Sequence, residues 1–95
     1  MSQLERFRRE IDSIDDQLID LLARRFELCR TVARHKLAHG IPVVMPDRIE
    51  QVKARCGEQA ENRAVDSAFV RALYTMIIDE ACRIEHEIMA PRQEL

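Results

Sequence analysis

From Leu4 to about His39 the chain carries one unbroken helical stripe, and its length limits the possible folds more than any other feature. Leu4, Phe7, Ile11, Ile14, Leu18 and Leu21 recur at alternating spacings of three and four, and Leu28 and Val32 continue the pattern. That is the period of an amphipathic helix. Ser2 is a suitable N-cap with Glu5 as its capping-box partner. Gly40 and Pro42 supply the stop. The helix so bounded has about 36 residues and a length of roughly 54 Å. A compact domain of this size has a radius of gyration of only about 12 to 13 Å. The rest of the chain therefore cannot cover both ends of the stripe. Leu4, Ile11, Leu18, Arg25 and Val32 stand seven apart, as in a heptad seam. We expect the helix to pack against a second copy of itself in an intertwined homodimer. The alternative is a monomeric helical hairpin with one frayed end.

The remainder reads as two shorter helices. Two Gly and three Pro leave few places to break a helix, and clusters of β-branched and aromatic residues are missing. The expected fold class is all-α, a three-helix chain forming one domain over residues 1–95. Residues 41–45 form an apolar connector. Helix 2 should run from Pro46 or Asp47 to about Gln59, with Ile49, Val52 and Cys56 inside and Glu50, Lys53 and Arg55 in solvent. The polar stretch 57–64 reads as fraying helix and loop. Asp66 caps a third helix that ends near Met89. Its apolar residues are Phe69, Val70, Leu73, Met76, Ile77, Ile84 and Ile88. Pro91 terminates it, and the residues beyond are expected to be loose.

Several function classes drop out. A net charge of -2 gives no bias toward nucleic acid or an anionic membrane surface. No apolar run approaches the roughly 18 residues of a membrane span, and the N-terminus lacks a signal-peptide core. Cys29, Cys56 and Cys82 are odd in number and form no CxxC pair, which fits reduced thiols of a cytoplasmic protein. His35, His39 and His86 share no metal-ligand spacing with them, so no metal site is expected. There is no Gly-rich phosphate loop and no nucleophile–base set, so no cofactor is expected either.

The chemistry starts at Arg25, which interrupts the apolar seam. A guanidinium there is costly unless an anion meets it. Arg25, Cys29, Val32 and Lys36 share one strip of the helix, with the two cations about 16 Å apart along the axis. Arg25 offers a planar fork for a carboxylate and Lys36 a compact charge. Alternatively, Arg25 pairs with an internal acid such as Asp15 or Glu85, and Lys36 is an ordinary cation near a helix end. Arg8 also flanks the seam, about 25 Å from Arg25 along the axis, too far to share a small site within one chain. In an antiparallel dimer it could reach the partner's site. On helix 3, Tyr74, Ile78, Ala81, Glu85 and Ile88 fall on one strip. Burial there would favour a neutral Glu85 carboxyl, which can donate a hydrogen bond. The alternative is a salt bridge to Arg25 or Arg83. Arg48 sits one turn into helix 2, where a plain surface arginine is the competing reading. Convergent cations of this kind suit a small dicarboxylate.

Together these residues resemble the all-helical chorismate mutase family over nearly the whole length. The markers are Leu4-x-x-x-Arg8-x-x-Ile11-x-x-x-Asp15, Leu21-Leu22-Ala23-Arg24-Arg25, Val32-Ala33-x-x-Lys36, Pro42, Arg48 and Leu73-Tyr74-x-x-Ile77-Ile78-x-x-Ala81. The resemblance implies intertwined dimers of three-helix chains that convert chorismate to prephenate by a unimolecular Claisen rearrangement, without cofactor. It implies roles for Arg8 as the arginine from the partner subunit, Arg25 as the grip on a substrate carboxylate, and Lys36 as the contact to the ether oxygen and a carboxylate. Arg48 matches an arginine of the helix 2 motif, and Glu85 the second ether-oxygen donor. Three positions depart from the bacterial pattern. Met45 replaces an aspartate, Ile49 replaces the glutamate that holds the C4 hydroxyl, and Ala81 replaces a serine. The stretches 39–48 and 77–89 look similar to the 4-amino-4-deoxychorismate mutases. An isochorismate pyruvate lyase and a non-enzymatic, ligand-sensing dimer remain as alternatives on the same scaffold.

Overall fold

The structure, a computed structural model, describes residues 2–91 and consists of three α-helices: α1 (Gln3–His39), α2 (Pro46–Glu61) and α3 (Ser67–Met89). The all-α expectation holds. The tail beyond Pro91, expected to be loose, lies outside the described residues.

Each helix end follows local chemistry. The Ser2 hydroxyl accepts the Glu5 N–H at 3.1 Å, satisfying one of the otherwise unpaired first-turn donors. At the other end Gly40 adopts φ 66°, and the N–H groups of Gly40 and Ile41 both turn back to the Lys36 carbonyl. Only a residue without Cβ takes that left-handed conformation at no cost. Asp66 Oδ2 accepts the Phe69 N–H at 2.8 Å and starts α3. Pro46 opens α2, where its missing N–H costs nothing.

Helix α2 runs two residues further than the sequence suggests. The stretch after Gly57, expected to fray, is helical to Glu61, and Gly57 and Ala60 are buried with Val52 and Cys56. The reason is tertiary. A Cβ on Gly57 would sit 3.2 Å from Cγ of Arg71 on α3, so the glycine allows the two helices to approach closely. That packing outweighs the roughly 1 kcal/mol helix penalty of glycine.

Helix α3 lies between the other two and packs on both. Its buried residues, Ile78, Ala81, Ile84 and Glu85, face inward. Val52, Cys56 and Ile78 form the α2–α3 core, with Ile49, Val70, Tyr74 and Cys82 against it. On α1 the completely buried residue is Ala33, whose small side chain permits close helix approach. Much of the apolar surface remains uncovered. Every residue from 3 to 21 of α1 is exposed, and Ile11, Ile14 and Leu18 are each more than half exposed. A second bare stripe, Phe69, Leu73 and Met76, runs along α3. The radius of gyration is 17.4 Å and the longest extent 58 Å, against about 12 to 13 Å for a compact domain of this length.

Candidate active site

A cavity of about 470 Å³ opens where the last four turns of α1, the 41–45 connector, α2 and α3 converge. That volume suits a small organic ligand. Arg25, Cys29, Val32 and Lys36 line one wall from α1, as their shared strip requires. Met45, Arg48 and Ile49 line it from the connector and α2, and Tyr74, Ala81 and Glu85 from α3. Of the nine residues singled out in sequence, eight border this one space. Arg8 does not. It lies on the exposed first half of α1.

Lys36 is held from two sides. Its ammonium donates to the Val43 carbonyl at 2.9 Å and lies 2.8 Å from Oε1 of Glu85. Both side chains are largely buried, 13% and 8% exposed. The ammonium approaches Oε1 off the hydrogen-bonding direction, so that oxygen is in Coulombic contact yet receives no directed hydrogen bond. Burying a charge pair is tolerable when each is close to its counter-charge and breaking it is costly. An ammonium has three donors. With one on Val43, Lys36 retains capacity for a ligand in the cavity.

Neither salt bridge considered for Glu85, to Arg25 or to Arg83, is formed. Glu85 meets Lys36, and Arg83 pairs with Glu80 and Glu87 on its own helix. Arg25 has no carboxylate partner among the described residues, so neither Asp15 nor Glu85 neutralises it. Its guanidinium donates to Sγ of Cys29 at 3.8 Å and lies 5.9 Å from the centre of the Tyr74 ring. Arg48 is exposed and donates to Oε1 of Gln51 at 2.7 Å.

Sequence reasoning missed two contributors. Arg55, expected in solvent, borders the cavity although its side chain is exposed. Its place, seven residues after Arg48, was the available signal, because i and i+7 share a helix face. The Val43 carbonyl is a backbone acceptor in a connector and has no side-chain signature. The cavity also holds two thiols, Cys29 and Cys82. Burial pushes both up from the ordinary thiol value, and Glu85 adds to the effect. Among the described residues no group of three His, Cys, Asp or Glu side chains is placed to hold a metal ion.

The lining thus combines four cations with one carboxylate and an otherwise apolar wall. The Met45, Ile49 and Ala81 portion offers no side-chain hydrogen-bond acceptor beyond the weak thioether of Met45. Residues 7–86 match the family described as chorismate mutase type II. A 4-amino-4-deoxychorismate mutase of Streptomyces venezuelae is 38% identical over 89 residues, covering 94% of this chain and 86% of the relative. A protein of the same name from Streptomyces pristinaespiralis is 37% identical, covering 92% of this chain and 67% of the relative. The T-protein of Enterobacter agglomerans is 30% identical over 92% of this chain, which spans 23% of that relative.

Proposed function

The chain belongs to the type II chorismate mutase family, and on that premise we propose how its cavity carries out the reaction. The enzyme is an isomerase that performs a chorismate mutase-type rearrangement. Chorismate, converted to prephenate, is the substrate that we assign first. One observation carries the assignment of residues. Arg25, without a carboxylate partner among the described residues, and Lys36, with donors to spare, face one cavity from a single helix.

The reaction is intramolecular. The ether C–O bond breaks while a C–C bond forms, and negative charge grows on the ether oxygen. Arg25 grips one carboxylate, Arg8 of the partner subunit grips the other, and Arg48 adds positive charge at the mouth. Their service is to hold the extended substrate in its folded, reactive shape. Lys36 donates to the ether oxygen more strongly in the transition state than in the ground state, and Glu85, in contact with the ammonium, fixes where it points. Such a donor contributes about 3 to 4 kcal/mol to lowering the barrier. Val32 supplies apolar contact. No cofactor or metal takes part.

We infer a homodimer, which the uncovered stripes support. Burying large apolar side chains of α1 against a partner stabilises by about 1.5–3 kcal/mol each, and the bare Phe69, Leu73 and Met76 face offers a complementary surface. An antiparallel arrangement brings Arg8 to the partner's cavity and makes two equivalent sites. We read residues 1–95 as one domain working in the cytoplasm, where the three free thiols stay reduced. Among the described residues no helix is long and apolar enough to cross a membrane.

A second reading, 4-amino-4-deoxychorismate as substrate, is favoured by the Met45, Ile49 and Ala81 wall and by the names of two relatives. Without a strong acceptor there, a C4 hydroxyl has no special hold. Separate incubation with chorismate, its 4-amino analogue and isochorismate decides the matter. Prephenate formed at the highest kcat/KM supports the first reading, and faster turnover of the amino analogue supports the second. Pyruvate released from isochorismate alone would show a lyase, and binding without turnover a sensing dimer. Mixing Arg8→Ala and Arg25→Ala proteins, each strongly impaired alone, tests the shared site. Random exchange puts one intact site on each heterodimer and restores about a quarter of the activity. With one variant isotopically labelled, exchange verified by native mass spectrometry without recovered activity overturns it.

A further inference from the structure

We propose that Tyr74 is a positioning residue, whose ring holds the Arg25 guanidinium in the orientation that meets a substrate carboxylate. The proposal rests on the mutase reading of the cavity and assigns a part to a residue outside the clamp.

Arg25 has an unusual environment for a half-buried arginine. No carboxylate reaches it among the described residues, and its contacts are the Cys29 sulfur one turn along and the face of Tyr74 across the cavity. A thiol sulfur is a weak acceptor. At 5.9 Å from the ring centre, the guanidinium is within the range where a cation is drawn to an aromatic quadrupole. The ring is a firm platform because Tyr74 packs against the Val52, Cys56 and Ile78 core.

The choice of an aromatic partner has a functional consequence. A carboxylate beside Arg25 would neutralise it and compete with the substrate. An aromatic face orients the guanidinium, leaves its charge intact and leaves its N–H donors free for an incoming carboxylate. Without the ring, the long side chain must be ordered anew at each binding event. Once Arg25 has closed on the carboxylate, the folded substrate is held as in the intact enzyme, so the ordering cost appears in KM and not in kcat.

The kinetic test compares three variants. Tyr74→Leu raises KM about tenfold, equivalent to about 1.4 kcal/mol, and leaves kcat within about threefold. Tyr74→Phe, which restores the ring, recovers KM to within about twofold. In an Arg25→Ala background, Tyr74→Leu adds less than about twofold, because the two residues act as one unit. A Tyr74→Leu enzyme with unchanged KM, or an equal KM effect in the Arg25→Ala background, overturns the proposal. A Tyr74→Phe enzyme as impaired as Tyr74→Leu does so too.

A spectroscopic arm needs no activity. Tyr74 is the single tyrosine and the chain has no tryptophan, so its phenolate absorbance reports one site. Burial and the Cys56 thiol push the phenol above its ordinary value, while Arg25 and then Arg55 pull it back. In folded Arg25→Ala protein, checked by circular dichroism, the titration midpoint moves up. An unmoved midpoint overturns the Arg25–Tyr74 contact. An enzyme inactive on every substrate, but with the shifted midpoint, rejects the mutase reading and leaves the contact standing.

Discussion

Residues 3–21 and 22–39 of α1 share one apolar period, but they are covered very differently. The second half packs Ala33 against α3 and turns Arg25, Cys29 and Lys36 into a cavity. The first half, with larger and more regular apolar residues, is buried by nothing among the described residues. Period alone therefore says that a face is made to be buried, and not which chain buries it. The halves also differ in what they put on the seam. The covered half carries Arg25 and Lys36, where burial can strengthen their grip on an anion. The bare half carries Leu4, Phe7, Ile11, Ile14 and Leu18, which suit a contact between copies.

The contrast is most sharply tested on the bare half. In the proposed dimer, Ile14→Glu places a charge on the seam of both copies. Losing about 1.5–3 kcal/mol of burial per chain weakens dimerisation by about 10²- to 10⁴-fold. Sedimentation equilibrium measures it, and a dimer of unaltered affinity would break the division drawn here. On the covered half, Ala33→Leu overpacks the α1–α3 contact, at a cost of about 1–3 kcal/mol. Each kilocalorie lowers Tm by about 4–8 °C in a domain of this size. This loss is intramolecular, so its size should not depend on protein concentration, in contrast to Ile14→Glu. The smallest effect is alkaline. Burial raises the Cys29 and Cys82 thiols above 9.0, so the folded state holds these protons more tightly than the unfolded one. Their contribution is fully present below about pH 9 and fades as pH climbs through the folded values. Denaturant titrations of wild type and a Cys29→Ala, Cys82→Ala variant should diverge in pH slope only above that point.

The parts legible in sequence were those governed by neighbours along the chain. Ser2, Gly40, Pro46 and Asp66 set helix ends through contacts a few residues away, and the strip from Arg25 to Lys36 follows from helix geometry alone. What sequence could not resolve depended on contacts between helices. Gly57 looked like a breaker because its close approach to Arg71 is invisible in one dimension. Glu85 had Arg25 and Arg83 as possible partners in sequence, and the packing of α1 on α3 supplies a different one, Lys36. Arg25 showed the need for a partner, and sequence reasoning sought an acid where the fold supplies an aromatic ring.

The end of α1 has a practical consequence for remodelling the chain. The Lys36 carbonyl receives the two amides that close the helix, while its ammonium reaches forward to the Val43 carbonyl. One residue thus buckles the connector at its start and again before α2, and fixes its length. A reporter peptide spliced into residues 41–43 would drag the ammonium with it. The exposed turn at residues 62–65, closed by its own backbone bonds, is the graft point that leaves the buckle fastened.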